Sequence, residues 1–212
     1  MESNSIVSRL IEEYSYNEIF NINNVRCNPI LDISEEKFYE YFNDLECLGI
    51  VECLQDELYY RPKITKFGKI PISEEYIAKY FVSDNDGIYI GYRLYNNKGL
   101  TTQISKNIQV ISAKTQEEKR VIKNVEIKRI NMKLKQEIIP IIETFEILHN
   151  TGQIEEFNER AFYDYIGEFA NNYSDELTCY VIENQKYDKQ TIGLMKNLLD
   201  KYRVYNTLKR YL

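Results

Sequence analysis

The chain has 212 residues, enough to bury one large core or two small ones, and its 43% apolar content excludes disorder as the overall state. Its net charge of −6 is unevenly spread, with −6 on residues 1–70, +4 on residues 71–140 and −4 on residues 141–212. The overall field repels phosphate, so a nucleic-acid contact would have to draw mostly on a local basic face in the middle third.

No apolar run approaches the ~20 residues that span a bilayer. The N-terminal "MESNSIVSRLIEEYS" lacks the basic start and apolar middle of a signal peptide. A cytoplasmic protein with no membrane partner is expected. Cys27, Cys47, Cys53 and Cys179 show no CxxC spacing, and the single histidine, His149, has no cysteine near it in sequence. Reduced thiols and no metal site are expected, because zinc needs clustered soft ligands and free Cys otherwise behaves as a small hydrophobe.

In chain order, "SIVSRLIEEY" sets Ile6, Val7, Leu10, Ile11 and Tyr14 at helical spacing. After "NINN" and Pro29, Ser34 is a helix N-cap with Glu35 and Glu36 in the first turn. That helix carries Phe38, Tyr41, Phe42, Leu45 and Leu48 on one face and ends at Gly49. Then "IVECL" and "LYYRP" read as two strands joined by "QDE". Helices, a glycine stop and a small hairpin make the order of a winged helix-turn-helix, assigned to residues 1–70.

"PKITKFGKIP" reads as a Lys-rich connector and sets the domain boundary, leaving 71–212 as an α+β domain. Ser73 caps the helix "EEYIAKYFVS", which stops at "DNDG". The segment from Gly87 to Asn97 fits either a helix containing Gly91 or an extended stretch. "NIQVISA" and "KRVIKNVEIKRI" read as strands with a turn at Lys123-Asn124, which puts the sheet at about 100–131. Beyond Pro140 the periodicity predicts helices through Ile141, Ile142, Phe145 and Leu148, and then through Phe157, Phe162, Tyr165, Ile166 and Phe169. Ser174 caps another, and Ile192, Met195, Leu198, Leu199 and Tyr202 line the last, in a helical region at about 138–212. The fold class expected is α+β: an N-terminal winged helix-turn-helix, then a mixed α/β domain with a small sheet and a C-terminal helical bundle.

Catalytic constellations are hard to build from these residues. His149 stands at a helix end, where a cation suits the dipole, with no base, nucleophile or ligand beside it in sequence. Neither GxGxxG nor GxxxxGK[ST] occurs. Pairs such as Glu12-Glu13, Glu117-Glu118 and Glu155-Glu156 would point ~100° apart on a helix, as solvated faces do. The expectation is no enzyme, no catalytic residue, no cofactor and no metal.

Two basic clusters stand out. Arg61, Lys63, Lys66 and Lys69 follow the hairpin, where a wing would meet DNA phosphate, and they suit a soluble linker equally well. Lys114, Lys119, Arg120, Lys123, Lys128 and Arg129 lie along the expected strands, where an open sheet face carries charge in any case. The exposed side of the 35–48 helix is mostly carboxylate, and of its residues Tyr39 and Asn43 are the ones left to reach bases.

The segment "GIYIGYRLYNNKGLTTQISKNIQVISAKT…KRVIKNVEIKRI" resembles the central part of AbiEi-like antitoxins from bacterial abortive-infection (type IV) toxin–antitoxin systems, in which a "G…AL..LGLTTQ" motif precedes a strand pair. The resemblance reaches upstream to "YFNDLECLGIVECLQDELYYRPK" and downstream to "KQTIGLMKNLLDKY", with GLTTQ its most specific piece. It implies an N-terminal winged helix that represses its own operon by binding promoter DNA. It also implies a C-terminal domain that counteracts a nucleotidyltransferase toxin in phage defence, with the toxin or its target as functional partner, whether or not through direct contact. Carried onto this chain, antitoxin function falls from about residue 72 onward with Gly99 to Gln103 at its core. Lys98, Thr101, Thr102, Gln103, Lys119, Arg120, Lys123, Lys128 and Arg129 form the expected partner surface. The chain departs from the pattern in the acidic helix at 35–48, and in the Tyr and Asn that replace small and apolar residues before the glycine. The alternative is a protein-interaction adaptor whose winged helix no longer binds DNA.

Overall fold

The computed structural model describes residues 2–212, with side chains from Ile6 onward. The fold is mixed α and β with small sheets. The chain divides into two compact units, Met1–Tyr80 and Phe81–Leu212.

The first unit begins with α1 (Glu2–Glu12), β1 (Ile19–Asn21), α2 (Ile22–Arg26) and α3 (Glu35–Cys47), followed by β2 (Glu52–Gln55) and β3 (Leu58–Tyr60). β3 lies between β1 and β2, antiparallel to both. The expected helical spacing buries Val7, Leu10 and Ile11 from α1 against Phe38, Phe42 and Leu45 from α3. Phe20 from β1 completes this core, its ring stacked 4.5 Å from Tyr14. Burying each such side chain stabilises the unit by ~1.5–3 kcal/mol.

Ser34 caps α3 by accepting from the Lys37 amide, with Glu35 and Glu36 against the positive end of the helix dipole. Gly49 ends the helix at φ +70° in a Schellman arrangement, with Gly49 N donating to Glu46 O and Ile50 N to Leu45 O. Leu48 departs from the expected apolar face at 73% exposure, because it is the C-cap, where the chain already turns away from the core. β1 and α2 have no counterpart in the sequence reading, being only three and five residues long.

The 62–71 stretch is not a linker. Its residues form β4 (Lys63–Thr65) and β5 (Gly68–Ile70), a two-stranded antiparallel hairpin. Thr65 Oγ1 donates to Gly68 O at 3.0 Å and accepts from Phe67 N, and Gly68 takes φ +107°. α4 (Glu74–Val82) follows, and the division between the units falls inside it, where 70/71 was expected.

The second unit holds β6 (Gly87–Ile90), α5 (Tyr92–Asn97), β7 (Ile108–Ser112), β8 (Lys119–Ile122) and β9 (Val125–Arg129). Four helices come next, α6 (Ile139–Asn150), α7 (Glu159–Asn171), α8 (Asp175–Asn184) and α9 (Lys189–Lys201). The sheet order is β6-β7-β9-β8, with β7 parallel to β9 and the other two pairings antiparallel. The sheet therefore starts at 87, not near 100, and residues 101–107 are loop. The 87–97 segment is strand and then helix, switching at Gly91. Gly91 has φ +61° and ψ −146°, a backbone conformation essentially restricted to glycine.

Lys123 makes the expected β8–β9 turn at φ +51°. Pro140 sits in the first turn of α6, where its missing N–H costs nothing. The helices pack Phe145, Ile147, Ile166, Met195 and Leu199 with Ile90, Leu94 and Leu100 into one core. Among the described residues, no helix is long and apolar enough to cross a membrane. All four cysteines are free thiols, Cys179 buried and the others exposed.

Candidate functional site

The GLTTQ stretch is a clip. Gly99 closes α5 at φ +70° in a second Schellman arrangement, with Gly99 N donating to Asn96 O and Leu100 N to Tyr95 O at 2.8 Å. Leu100 is fully buried, and its carbonyl accepts from Asn158 N at 2.8 Å. Thr101 Oγ1 donates to Glu155 O at 2.7 Å and accepts from Gln103 N, while Asn96 Nδ2 donates to Gln103 O. At 5% exposure Thr101 is not a partner-surface residue; it fastens the turn to the loop before α7. Thr102 is exposed beside Glu156 and Gln103 is half-buried, so these two remain accessible.

The other expected partner-surface residues do not form one basic face. Arg120 is 5% exposed, because strand alternation puts it on the same side of β8 as buried Ile122. Lys119 lies opposite Lys128 in the β8–β9 register and pairs with Glu126 at 3.0 Å. Lys123 is exposed at the turn. Arg129 follows Lys128 in β9 and so points to the other face, its Nη1 donating to Gln116 O at 2.9 Å. Lys98 is held 2.7 Å from Glu143 and lies over the Tyr165 ring.

In the first unit, the Arg61 guanidinium is turned onto the chain itself. Its Nη1 donates to the carbonyls of Tyr14 at 2.7 Å and Glu12 at 3.0 Å, and its guanidinium stacks over Tyr16. It satisfies the last carbonyl of α1 and one in the turn that follows. Lys63, Lys66 and Lys69 are exposed along the β4–β5 hairpin, with Lys69 3.7 Å from Glu52. Phe67 stands 89% exposed at the hairpin tip, and the Lys66 ammonium lies 5.0 Å from its ring centroid. On α3, Asn43 is exposed, whereas Tyr39 is half-buried with its ring edge-on to Phe38.

His149 has a partner that lies 39 residues away in sequence. Its Nδ1 is 3.0 Å from Asp188 Oδ2 and 3.1 Å from Thr191 Oγ1. Asp188 is the N-cap of α9, and its carboxyl sits below the usual carboxylate range, chiefly because the Thr191 amide and hydroxyl donate to it, with a smaller contribution from His149. The group joins the C-terminus of α6 to the N-terminus of α9, where the Thr191 amide and hydroxyl both donate to the Asp188 carboxylate. Among the described residues, no three His, Cys, Asp or Glu side chains are grouped to hold a metal.

A 560 Å³ cavity opens beside Lys98 and Tyr165, walled by Pro140, Ile141, Phe169 and Leu177. Its size and apolar lining are those of a small-ligand or side-chain pocket. Tyr165 contributes a hydroxyl 2.9 Å from Thr144 Oγ1, and burial pushes its pKa well above the phenol range. It is therefore a neutral hydrogen-bonding group at any physiological pH. Sequence patterning had assigned Tyr165 to the apolar face of a helix and was blind to this polar end.

No family model and no curated protein matches this chain. Among solved structures it is similar to the crystal structure of RV2827C protein from Mycobacterium tuberculosis. The likeness has 10% identity, covers 94% of this chain and 77% of that one, and reaches a TM-score of 0.46.

Proposed function

We propose that the chain is a non-enzymatic antitoxin and transcriptional autoregulator of a type IV toxin–antitoxin system, counteracting a nucleotidyltransferase toxin in abortive infection. The observation that carries the reading is the order of the first unit. A helix, a strand, two helices and a hairpin, with β1 laid against β3, supports reading this unit as a winged helix-turn-helix. In that frame α3 takes the recognition position, and the β4–β5 hairpin extends a basic edge beyond the wing. Lys63 and Lys66 would contact phosphate, while Asn43 would face the groove. The antitoxin half rests on the resemblance around Gly99 to Gln103, where the motif residues form a tightly bonded turn.

Fluorescence anisotropy with duplex DNA from upstream of the gene tests the repressor half. Binding at low salt that weakens steeply as salt rises is the expected result. No binding at low salt would remove it.

The second reading is an adaptor whose winged helix contacts protein instead of DNA. It is favoured by the exposed Glu35, Glu36, Glu40 and Asp44 on α3, which oppose a phosphate backbone. Copurification with the product of the neighbouring gene, without DNA binding, would select it.

A further inference from the structure

The β4–β5 hairpin is a two-stranded sheet whose strand residues are exposed, apart from the half-buried Thr65. Two strands alone are marginal in water and gain stability from a further strand or a covered apolar face. The residues for such a face are present and uncovered. Ile64 is 64% exposed and lies opposite Lys69 in the register, on the same face of the hairpin. The Lys69 side chain reaches Gly49, where an added Cβ would meet its Nζ at 3.8 Å. That approach sets the Ile64 face beside Leu48 and Ile50, the exposed neighbours of Gly49, with Phe67 exposed at the hairpin tip. Together these four side chains present roughly 450 Å² of apolar surface, the size of a functional patch. Its edge carries both signs of charge. Asp44 lies one turn before Leu48 on the same side of α3, is exposed, and has no ion-pair partner among the described residues. Lys69 is held by the loose 3.7 Å pair with Glu52.

We propose that this face of the first unit binds a second copy of the chain about a two-fold axis. Phe67 and Ile64 of one copy lie on Leu48 and Ile50 of the other, and Lys69 stands opposite the other copy's Asp44. A two-fold interface has to be self-complementary, and a face with its own apolar centre and both charge signs meets that condition. Two copies bring together roughly 900 Å² of apolar surface, which at the ~60% apolar share of ordinary interfaces makes ~1,500 Å² in all, the size of a specific dimer. DNA fits this face less well, because Asp44 and Glu52 flank it and its apolar centre offers phosphate no donor. Lys63 pairs with Ile70 on the opposite face of the hairpin and stays outside the seam.

The test is sedimentation equilibrium of the full chain from about 1 to about 200 µM, with a dimer of Kd about 10 µM as the expected result. Phe67→Ser and Leu48→Lys change exposed positions, so their thermal midpoints should match the parent's. Each should weaken association by at least about tenfold, as loss of an interface anchor does. Asp44→Lys and Lys69→Glu should each weaken it by about threefold. The double variant should restore it, which a general loss of fold would not do. Tyr205→Ser, at an exposed position in the second unit, should associate as the parent does. A chain that stays monomeric at about 200 µM would overturn the proposal, as would a dimer that Phe67→Ser and Leu48→Lys leave intact. A monomer whose affinity for duplex DNA falls in Phe67→Ser would assign the face to DNA instead.

Discussion

Thr101 Oγ1 donates at 2.7 Å to the carbonyl of Glu155, 54 residues further on, and so ties the turn after α5 to the loop before α7. The same oxygen accepts from Gln103 N, so one buried hydroxyl organises both sides of the motif. Thr101→Val should cost about 0.5–1.5 kcal/mol, the net worth of a typical hydrogen bond, in urea unfolding followed by circular dichroism. Thr102→Val, at an exposed position, should leave stability within about 0.5 kcal/mol. Equal effects at the two positions would contradict the clip.

Gly99 is needed for its backbone angle and not for space. A Cβ would sit 3.8 Å from the Ala161 Cβ, an ordinary contact, while φ is +70°. Gly99→Ala should therefore destabilise by about 1–2 kcal/mol, the cost of the left-handed region for a residue with a Cβ. Gly99→Asn should cost less, because Asn tolerates that region. A loss with Asn larger than with Ala would show that crowding dominates.

The Asp188 cap makes a prediction about acid stability. The folded-state pKa of Asp188 is depressed, so its contribution is present at neutral pH, above the unfolded value. It is lost as pH falls through the depressed folded value, below the ordinary carboxylate range. Asp188→Ala should remove about 0.5–2 kcal/mol at pH 7, as N-cap deletions do. The gap to the parent should then close on acidification. A gap that is unchanged between pH 7 and strong acid would rule out the charged cap.

Arg61 and the hairpin lysines should separate in behaviour. Arg61 donates to Tyr14 and Glu12 carbonyls, so Arg61→Met should lower stability and leave the salt slope of DNA binding unchanged. Lys63→Gln and Lys66→Gln should leave stability alone and each reduce the slope of log K against log salt by about 1. Anisotropy titrations at four salt concentrations, paired with thermal melts, measure both quantities.

The parts of this fold that the sequence announces are those whose signal is local. Ser34 and Gly49 bracket α3, Gly99 closes α5, and Lys123 turns the β8–β9 hairpin, each through a cap or a backbone angle readable within a few residues. β1 and α2 are too short to show a period. The β4–β5 hairpin looked like a linker because its lysines masked the turn that Thr65 and Gly68 build. The charge of Arg120 suggests exposure, whereas alternation with Ile122 sets it inward. The His149–Asp188 pair depends on a contact made only by folding, and no spacing rule reports it.

The central claim is tested most directly by growth. The chain would be co-expressed with the product of the gene next to its own, induced to a level that arrests the host. The antitoxin account predicts restored growth with the parent chain and with the hairpin variant Lys63→Gln/Lys66→Gln, because neutralisation falls to the second unit and not to DNA binding. Continued arrest in the presence of folded, soluble parent protein would contradict it.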